Sequence, residues 1–438
     1  MTGLGPDAET TWRSIRNGGS GLVWIDELGG IGSPARVLSS VGEGIHPGGM
    51  PSSSWACDGP TSLAAPVLNR RPGAVEHARE GEGMPPDSAC ESALLDPSEP
   101  CSGILQNAAV EALRSARFDR SSWRGSDRVA ILIGQSKGRV RTLTRAFRSN
   151  TEDDPGAARD WRRGWPDSGS SQVRDLLSTC GPLLSPVAAC ATGLVAVLQG
   201  ANLIRWGEAD VAIAGAVDAS LEPLLLAAFR NMKVLARHEE PARAVRPWDC
   251  RRNGFAVGEG GAVFVLERAD RAEARGIPPV AEVAGGSLGS DAYHITDQNP
   301  DPSHLAGLIR QALDRAGVDR SEIDHVNVHG TATRSNDPLE CRALRMALGP
   351  RADRVSCSAN KAQIGHLLGA AGAAELALTC LAIRDQFVPP TLNLDDPDPA
   401  CDLDGTPHVG KSREIRAALK ISLGFGGHLA VAVLKRPG

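Results

Sequence analysis

Several things are scarce or missing in this sequence, and each absence closes off a class of protein. No charge of one sign dominates: 47 Lys and Arg stand against 52 Asp and Glu, a net charge of −5. No overall electrostatic pull toward nucleic acid is expected from that balance. No stretch reaches the roughly 20 apolar residues that a membrane helix needs. The opening, MTGLGPDAETTW, lacks the basic-then-apolar pattern of a secretory signal. There is no Cys-x-x-Cys pair, and the 10 cysteines are scattered. In a chain of this length that fits reduced thiols better than a disulfide framework. Tyrosine occurs once, and no functional argument attaches to it. The expectation is a soluble cytoplasmic protein with no membrane span.

What is present is a long chain, 438 residues and 41% hydrophobic, enough for two or three domain-sized units and a large core. Residues 6–11, PDAETT, read as a helix opening, with proline early and acids in the first turn. Residues 28–104 are rich in Gly, Pro and Ser, lack sustained periodicity and read as a long surface insertion. Residues 149–172 are polar and read as a second insertion. Elsewhere short apolar runs alternate with helical patterns. Strands are expected at 128–134, 183–189, 210–217, 280–285 and 323–329, with two strands around a glycine loop at 417–434. Residues 254–267, GFAVGEGGAVFVLE, read as a strand, a glycine break and a second strand. Helices are expected at 104–116, 191–204, 269–275, 302–316, 337–348 and 370–385. The alternation means an α/β fold with mainly parallel sheets. The pattern occurs roughly twice, and each pass ends in paired strands, which hints at two related halves.

The chain is organised around residues 183–205, LLSPVAACATGLVAVLQGANLIR. An apolar run ends at Cys190 and a helix follows, with small residues crowding the junction. The sulfur would sit at a helix N-terminus, where unpaired N–H groups and the positive dipole end stabilise a thiolate. A thiolate is the form of cysteine that attacks carbonyls. The competing reading is a buried small hydrophobe. Three later stretches could meet Cys190. His329 stands at the end of a buried strand, where open α/β sheets place their chemistry. Residues 358–372, SANKAQIGHLLGAAG, set Lys361 and His366 in a small-residue loop entering a helix. Residues 423–428, LGFGGH, form a glycine loop whose backbone could approach a substrate and supply oxyanion donors. Taken singly, His329 reads as a core histidine, Lys361 as a solvated charge and the glycines as turns. His325 and His329 have a metal spacing for a helix, but their segment reads as a strand with no third ligand, which argues against zinc.

Together these stretches resemble the β-ketoacyl-[acyl-carrier-protein] synthases, the elongating condensing enzymes of the thiolase superfamily. The resemblance rests on AACATG at 188–193, RPWDCRRNGFAVGEGG at 246–261, SDAYHIT at 290–296, HGTATRSND at 329–337, NKAQIGHLLGAAG at 360–372 and GFGG at 424–427. It implies a thiolase-like fold of two related βα halves, about 1–265 and 266–438, in α-β-α-β-α layers with the site between them. It implies Cys190 as nucleophile, His329 and His366 as its partners, Lys361 as the lysine beside the second histidine, and Glu375 as a supporting acid one turn along the next helix. The backbone N–H groups of Cys190 and Phe425 are the implied oxyanion hole. Phe229 and Phe425 match positions lining or gating the acyl pocket; Thr331 and Thr333 resemble threonines near the pantetheine arm. The implied reaction is decarboxylative Claisen condensation of an acyl thioester with malonyl-acyl carrier protein, in fatty acid or polyketide biosynthesis. The implied partners are the acyl and malonyl carrier proteins and a second copy of the chain. No metal or nucleotide cofactor is implied.

The match departs from the pattern in four places. Such chains open with a buried strand, central in the sheet, before the helix that starts here near Pro6, and no strand is readable there. Residues 28–104 diverge where relatives place carrier-docking surface. Lys137, in GQSKG at 134–138, stands where an apolar residue is usual near the acyl pocket and dimer seam. His428-Leu429 replaces a polar pair after GFGG. The GQSKG stretch also fits G-x-S-x-G after a strand, which raises a rival reading as a serine hydrolase using Ser136. A second rival is a non-catalytic, chain-length-factor-like partner of a condensing heterodimer; such relatives usually lack the cysteine present here.

Overall fold

The structure, a computed structural model, describes residues 7–22, 99–148 and 161–438. Most of the expected insertion at 28–104, and residues 149–160 of the second, lie outside the described residues. From Pro100 the chain is helical, and Ser168–Leu177 is a helix, so neither stretch is irregular to its end.

The first half runs through α1 (Ala8–Arg16), α2 (Pro100–Ser115), β1 (Val129–Gly134), α3 (Ser168–Leu177), β2 (Leu183–Leu184), α4 (Thr192–Arg205), β3 (Val211–Asp218), α5 (Pro223–Asn231) and β4 (Gly260–Glu267). The second runs through β5 (Glu282–Ser290), α6 (Ser303–Ala316), β6 (Ile323–Asn327), α7 (Asn336–Leu348), β7 (Ser356–Ser358), α8 (Lys361–Ile364), α9 (Ala371–Asp385), β8 (Ala417–Gly424) and β9 (His428–Lys435). The helix expected from the PDAETT opening is α1, capped by Asp7, whose carboxylate accepts from Thr10 N at 2.7 Å.

The two main sheets have orders β2-β1-β3-β4 and β5-β9-β8-β6-β7. In each, the inner strands pair in parallel and the last strand of the half returns antiparallel. α4 and α9 pack between the sheets, α2 and α3 cover the outer face of the first, and α6 and α7 cover the second. This is the α-β-α-β-α layering of the thiolase-like fold.

Three local expectations need correction. The apolar run at 183–189 makes only the two-residue β2, with Leu183 and Leu184 exposed at the sheet edge. Pro186 has no N–H to continue a ladder, so the chain leaves the sheet before the cysteine. Residues 254–259 form no strand; Phe255 bridges Leu235, and Val257 bridges His366, as isolated pairs. The strand expected before α1 would not be central. β5, which opens the second half, lies at the outer edge of its sheet and pairs with β9 alone. The equivalent place in the first half is the outer edge of β4, which among the described residues pairs only with β3. Ala262 to Glu267 are accordingly half-buried, whereas the corresponding stretch of β9 is buried.

The central layer is built from small residues, which lets α4 and α9 come together backbone to backbone. A Cβ at Gly193 would lie 2.6 Å from Ala373 N, and one at Gly372 would lie 2.8 Å from Leu194 N. No flexible side chain stands there to give way. We expect Gly193→Val to lower folding stability by about 1–3 kcal/mol through overpacking, read as a fall in denaturant midpoint; an unchanged midpoint would show that the helices can separate freely.

Candidate active site

The site forms where the C-terminal ends of the parallel strands of both sheets converge. After β2 the chain turns through a 3-10 segment, Ala189–Ala191, and enters α4. Cys190 sits in that turn, buried, one residue before the α4 cap at Ala191. The turn is tight: Ala189 has φ +45°, in the left-handed region that costs a side-chain-bearing residue energy. Thr192 holds it shut, its hydroxyl donating to Ala189 O at 2.7 Å and accepting from Ala188 N at 2.8 Å. Gly424, at the end of β8, packs against this turn. A Cβ there would lie 2.6 Å from Ala188 O and 3.2 Å from Cys190 N. Only glycine lets the next residue, Phe425, bring its backbone N–H onto the Cys190 sulfur.

The thiol does not behave as its place at a helix start suggests. Burial pushes it up to about 11, and Asp218 adds to the rise. Lys137, Lys361 and the Phe425 N–H pull the other way without overcoming it. The resting sulfur is therefore a thiol.

His329 follows β6. Glu340 of α7 fixes its backbone, accepting from His329 N at 2.6 Å and Gly330 N at 2.7 Å. His366 is tied to the 254–259 loop, its N–H donating to Ala256 O at 2.7 Å and its carbonyl accepting from Gly258 N at 2.9 Å. The two imidazoles face each other edge to face, centroids 5.4 Å apart. Phe255 stacks edge-on against His366 at 4.9 Å and against Phe229 at 5.9 Å. Burial holds both imidazoles well below the ordinary histidine value of 6.5, and the cationic Lys361 and Lys420 reinforce the effect on each. Both are neutral at physiological pH.

Lys361 is fully buried and serves His329, not His366. Its ammonium donates to the His329 carbonyl, lies 3.5 Å from His329 Nδ1 and pairs with Glu375 Oε1 at 2.6 Å. With a donor at Nδ1, the proton of neutral His329 belongs on Nε2. His366 Nδ1 is buried with no partner among the described residues. Phe229 and Phe425 join Cys190, Leu221, Leu226, Leu235, Phe255, Val257 and Leu368 in one apolar cluster. Thr331 and Thr333 share a hydroxyl–hydroxyl bond of 2.8 Å just beyond His329. Ser136 donates to Asp218 at 2.7 Å and accepts from Lys137 at 2.6 Å, and among the described residues no imidazole bonds its hydroxyl, so the Ser-His pair of the hydrolase reading is not formed. His325 turns its Nδ1 to Ser356 O at 2.9 Å, on a strand and away from any second ligand.

Sequence reading missed three members. Phe255 bridges the cysteine cluster and His366. Asp218 anchors the loop beyond His366 by accepting from Gly369 N at 3.0 Å. Lys420 pairs with Glu375; a lysine in the middle of the apolar strand AALKISLG was the available signal.

The comparisons agree with this geometry. The family model "Beta-ketoacyl synthase, N-terminal domain" matches residues 1–272, and "Beta-ketoacyl synthase, C-terminal domain" matches residues 280–395. The chain belongs to the β-ketoacyl synthase family. It is 36% identical over 391 residues to the tetracenomycin polyketide synthase ketoacyl synthase alpha subunit of Streptomyces glaucescens, covering 85% of this chain and 88% of that one. It is 44% identical over 258 residues to 3-oxoacyl-[acyl-carrier-protein] synthase 2 of Rhizobium meliloti, covering 58% and 61%. Among solved structures, a type II polyketide ketosynthase in complex with its acyl-carrier protein superposes with TM-score 0.81 at 26% identity, over 100% of this chain and 97% of that one. The ishigamide ketosynthase/chain length factor gives 0.79 at 28%, with the same coverage. The β-ketoacyl synthase family comprises condensing acyltransferases of fatty acid and polyketide synthesis. No helix among the described residues is long and apolar enough to cross a membrane.

The electrostatics of the site give a direct check. Alkylation of Cys190 in the resting protein, followed by peptide mass mapping, should climb steeply only toward pH 11. Half-maximal labelling near pH 7 would mean that the helix start outweighs burial after all.

Proposed function

We propose that the protein catalyses decarboxylative Claisen condensation of an acyl thioester with malonyl-acyl carrier protein. The observation that carries this is the neutral imidazole pair, His329 and His366, set beside a buried thiol that has its own backbone donor from Phe425.

The first half-reaction is acyl transfer. The Cys190 sulfur attacks the thioester carbonyl, and the oxyanion accepts from the N–H groups of Cys190 and Phe425. Collapse expels the carrier's thiolate, which leaves with the proton that Cys190 gives up. Because the resting thiol is protonated, its loss of the proton is coupled to substrate binding.

In the second half-reaction a malonyl thioester enters and loses carbon dioxide, placing negative charge on its thioester oxygen. Nε2–H of His329 and the ring N–H of His366 stabilise that enolate. Neutral rings are the right form, since a neutral imidazole N–H donates a hydrogen bond and keeps its proton, whereas an imidazolium would protonate the carbanion. The carbanion attacks the acyl-cysteine carbonyl, the same backbone pair holds the new oxyanion, and the Cys190 thiolate departs and is reprotonated. Lys361 and Glu375 hold His329. The Phe229, Phe255 and Phe425 cluster takes the acyl chain, and Thr331 and Thr333 meet the pantetheine arm. The exposed edge of β2, with Leu183, Leu184 and Val187, supports pairing with a second copy into a homodimer. The presence of Cys190 in a complete site favours this reading over that of a non-catalytic, chain-length-factor-like partner.

Incubation with malonyl- and acyl-carrier proteins of graded length, with mass detection, should yield β-ketoacyl products. Cys190→Ala should abolish condensation yet retain malonyl decarboxylation, because both histidines remain. His329→Ala should slow decarboxylation by about 2.7–4 kcal/mol of barrier, the worth of one oxyanion donor elsewhere. A Cys190→Ala protein that still condenses would sink the assignment. Since both imidazoles protonate well below 6.5, the donors stay neutral as pH falls through that value. The acid limb of kcat for decarboxylation should therefore lie below pH 6.5; a limb at or above it would contradict the neutral-donor scheme.

A further inference from the structure

Lys420 lies in the middle of β8 with its side chain fully buried. Its ammonium reaches Ile421 O at 2.7 Å, Val328 O at 3.3 Å and Glu375 Oε2 at 2.7 Å. Lys361 holds the other oxygen of the same carboxylate and the carbonyl of His329. One carboxylate thus bridges two ammonium groups, and those groups grip two successive carbonyls, Val328 and His329, at the strand end from which the His329 ring projects.

We propose that Lys420 is a positioning residue of the condensing site: with Glu375 and Lys361 it clamps the end of β6 under His329 and leaves a surplus positive charge beside both imidazoles. The inference rests on the reading of His329 as an enolate donor. Two features support it. Burying an ammonium is costly, and an apolar side chain of similar length would spare that cost. One lysine already balances Glu375, so the second is not needed for neutrality; its charge falls on its neighbours. The groups facing Lys420 are Glu375 on α9, Lys361 on α8, His325 and His329 on β6 and just after it, Glu340 on α7 and His366 on the following loop. Burial and Lys361 pull the Lys420 ammonium down to about 8, against Glu375 and Glu340. Lys420 in turn helps to keep His329 and His366 unprotonated.

The test uses the full chain carrying Cys190→Ala, so that only decarboxylation is followed. Lys420→Met should lower kcat several-fold with little change in KM for malonyl-carrier protein, and should move the acid limb to higher pH. Lys420→Arg, which keeps a charge that does not titrate in this range, should restore kcat and lack the alkaline limb near pH 8 that the lysine confers. If Lys420→Met does not fold, the comparison of lysine with arginine decides: identical alkaline profiles overturn the proposal. Ring NMR of His329 supplies a readout independent of turnover. Its titration should shift upward in pH in a folded Lys420→Met protein, and an unshifted titration overturns the proposal even if the functional reading stands. Absence of all decarboxylation with a shifted His329 would sink the functional reading and keep the coupling.

Discussion

The contact on which everything else depends is the one between α4 and α9 at Gly193 and Gly372. Two helices can approach backbone to backbone only where neither presents a side chain, and here each glycine faces the backbone of the other helix. The core around them is dominated by alanine, with Ala196, Ala212, Ala214 and Ala216 on one side and Ala370, Ala371, Ala373 and Ala374 on the other. That thin central layer draws the two sheets together. It sets the Cys190 turn, at the head of α4, beside the 366–370 segment, at the head of α9. A bulkier layer would preserve both halves and lose the site between them.

The same closeness sets the electrostatics. Desolvation acts on every ionisable group in the site and always favours the neutral form. For the imidazoles this is the form that the proposed role of enolate donor requires. For the cysteine it is the wrong form, and the helix start does not rescue it. The site therefore has its electrophilic groups preset and its nucleophile held in reserve. The buried carboxylates are sorted by the same logic. Glu375 has two ammonium partners, whereas Glu340, which holds only backbone N–H groups and Asn336, is pushed up to about 7.

Much of this was legible in the sequence. The runs at β1 and β3 read as buried strands because both faces are covered, and Cys190 before an unbroken helical pattern marked the turn. Cys190, His329 and His366 each stand at an element boundary with a chemically loaded side chain, but it was the resemblance to the condensing enzymes that implied their roles. What stayed hidden was tertiary. Lys361 is two elements away from His329 and five residues from His366; the resemblance set it beside the second histidine, whereas its ammonium bonds the first. Lys420 sits inside a strand, where a lone lysine reads as an exception and not as a contact. The edge position of β5 could not be read from order along the chain, because it pairs with the last strand, β9, across the whole second half.

The two halves share a topology and divide the chemistry unequally. By sheet order β1 corresponds to β6, β2 to β7, β3 to β8 and β4 to β9. The residues just past β1 are Ser136 and Lys137, and just past β6 stands His329. The turn after β2 carries Cys190, and the turn after β7 leads to Lys361. β3 ends on Asp218, which ties down Gly369, and β8 ends on Gly424, whose missing side chain lets Phe425 reach the sulfur. In these three pairs one member carries a residue with a proposed reacting or donating role and the other carries one that anchors. A duplicated scaffold offers the same strand ends twice, and here the two members of each of these pairs carry different side chains. The anchoring member becomes support, and the ionic network of Ser136, Lys137 and Asp218 is what that support looks like in the first half.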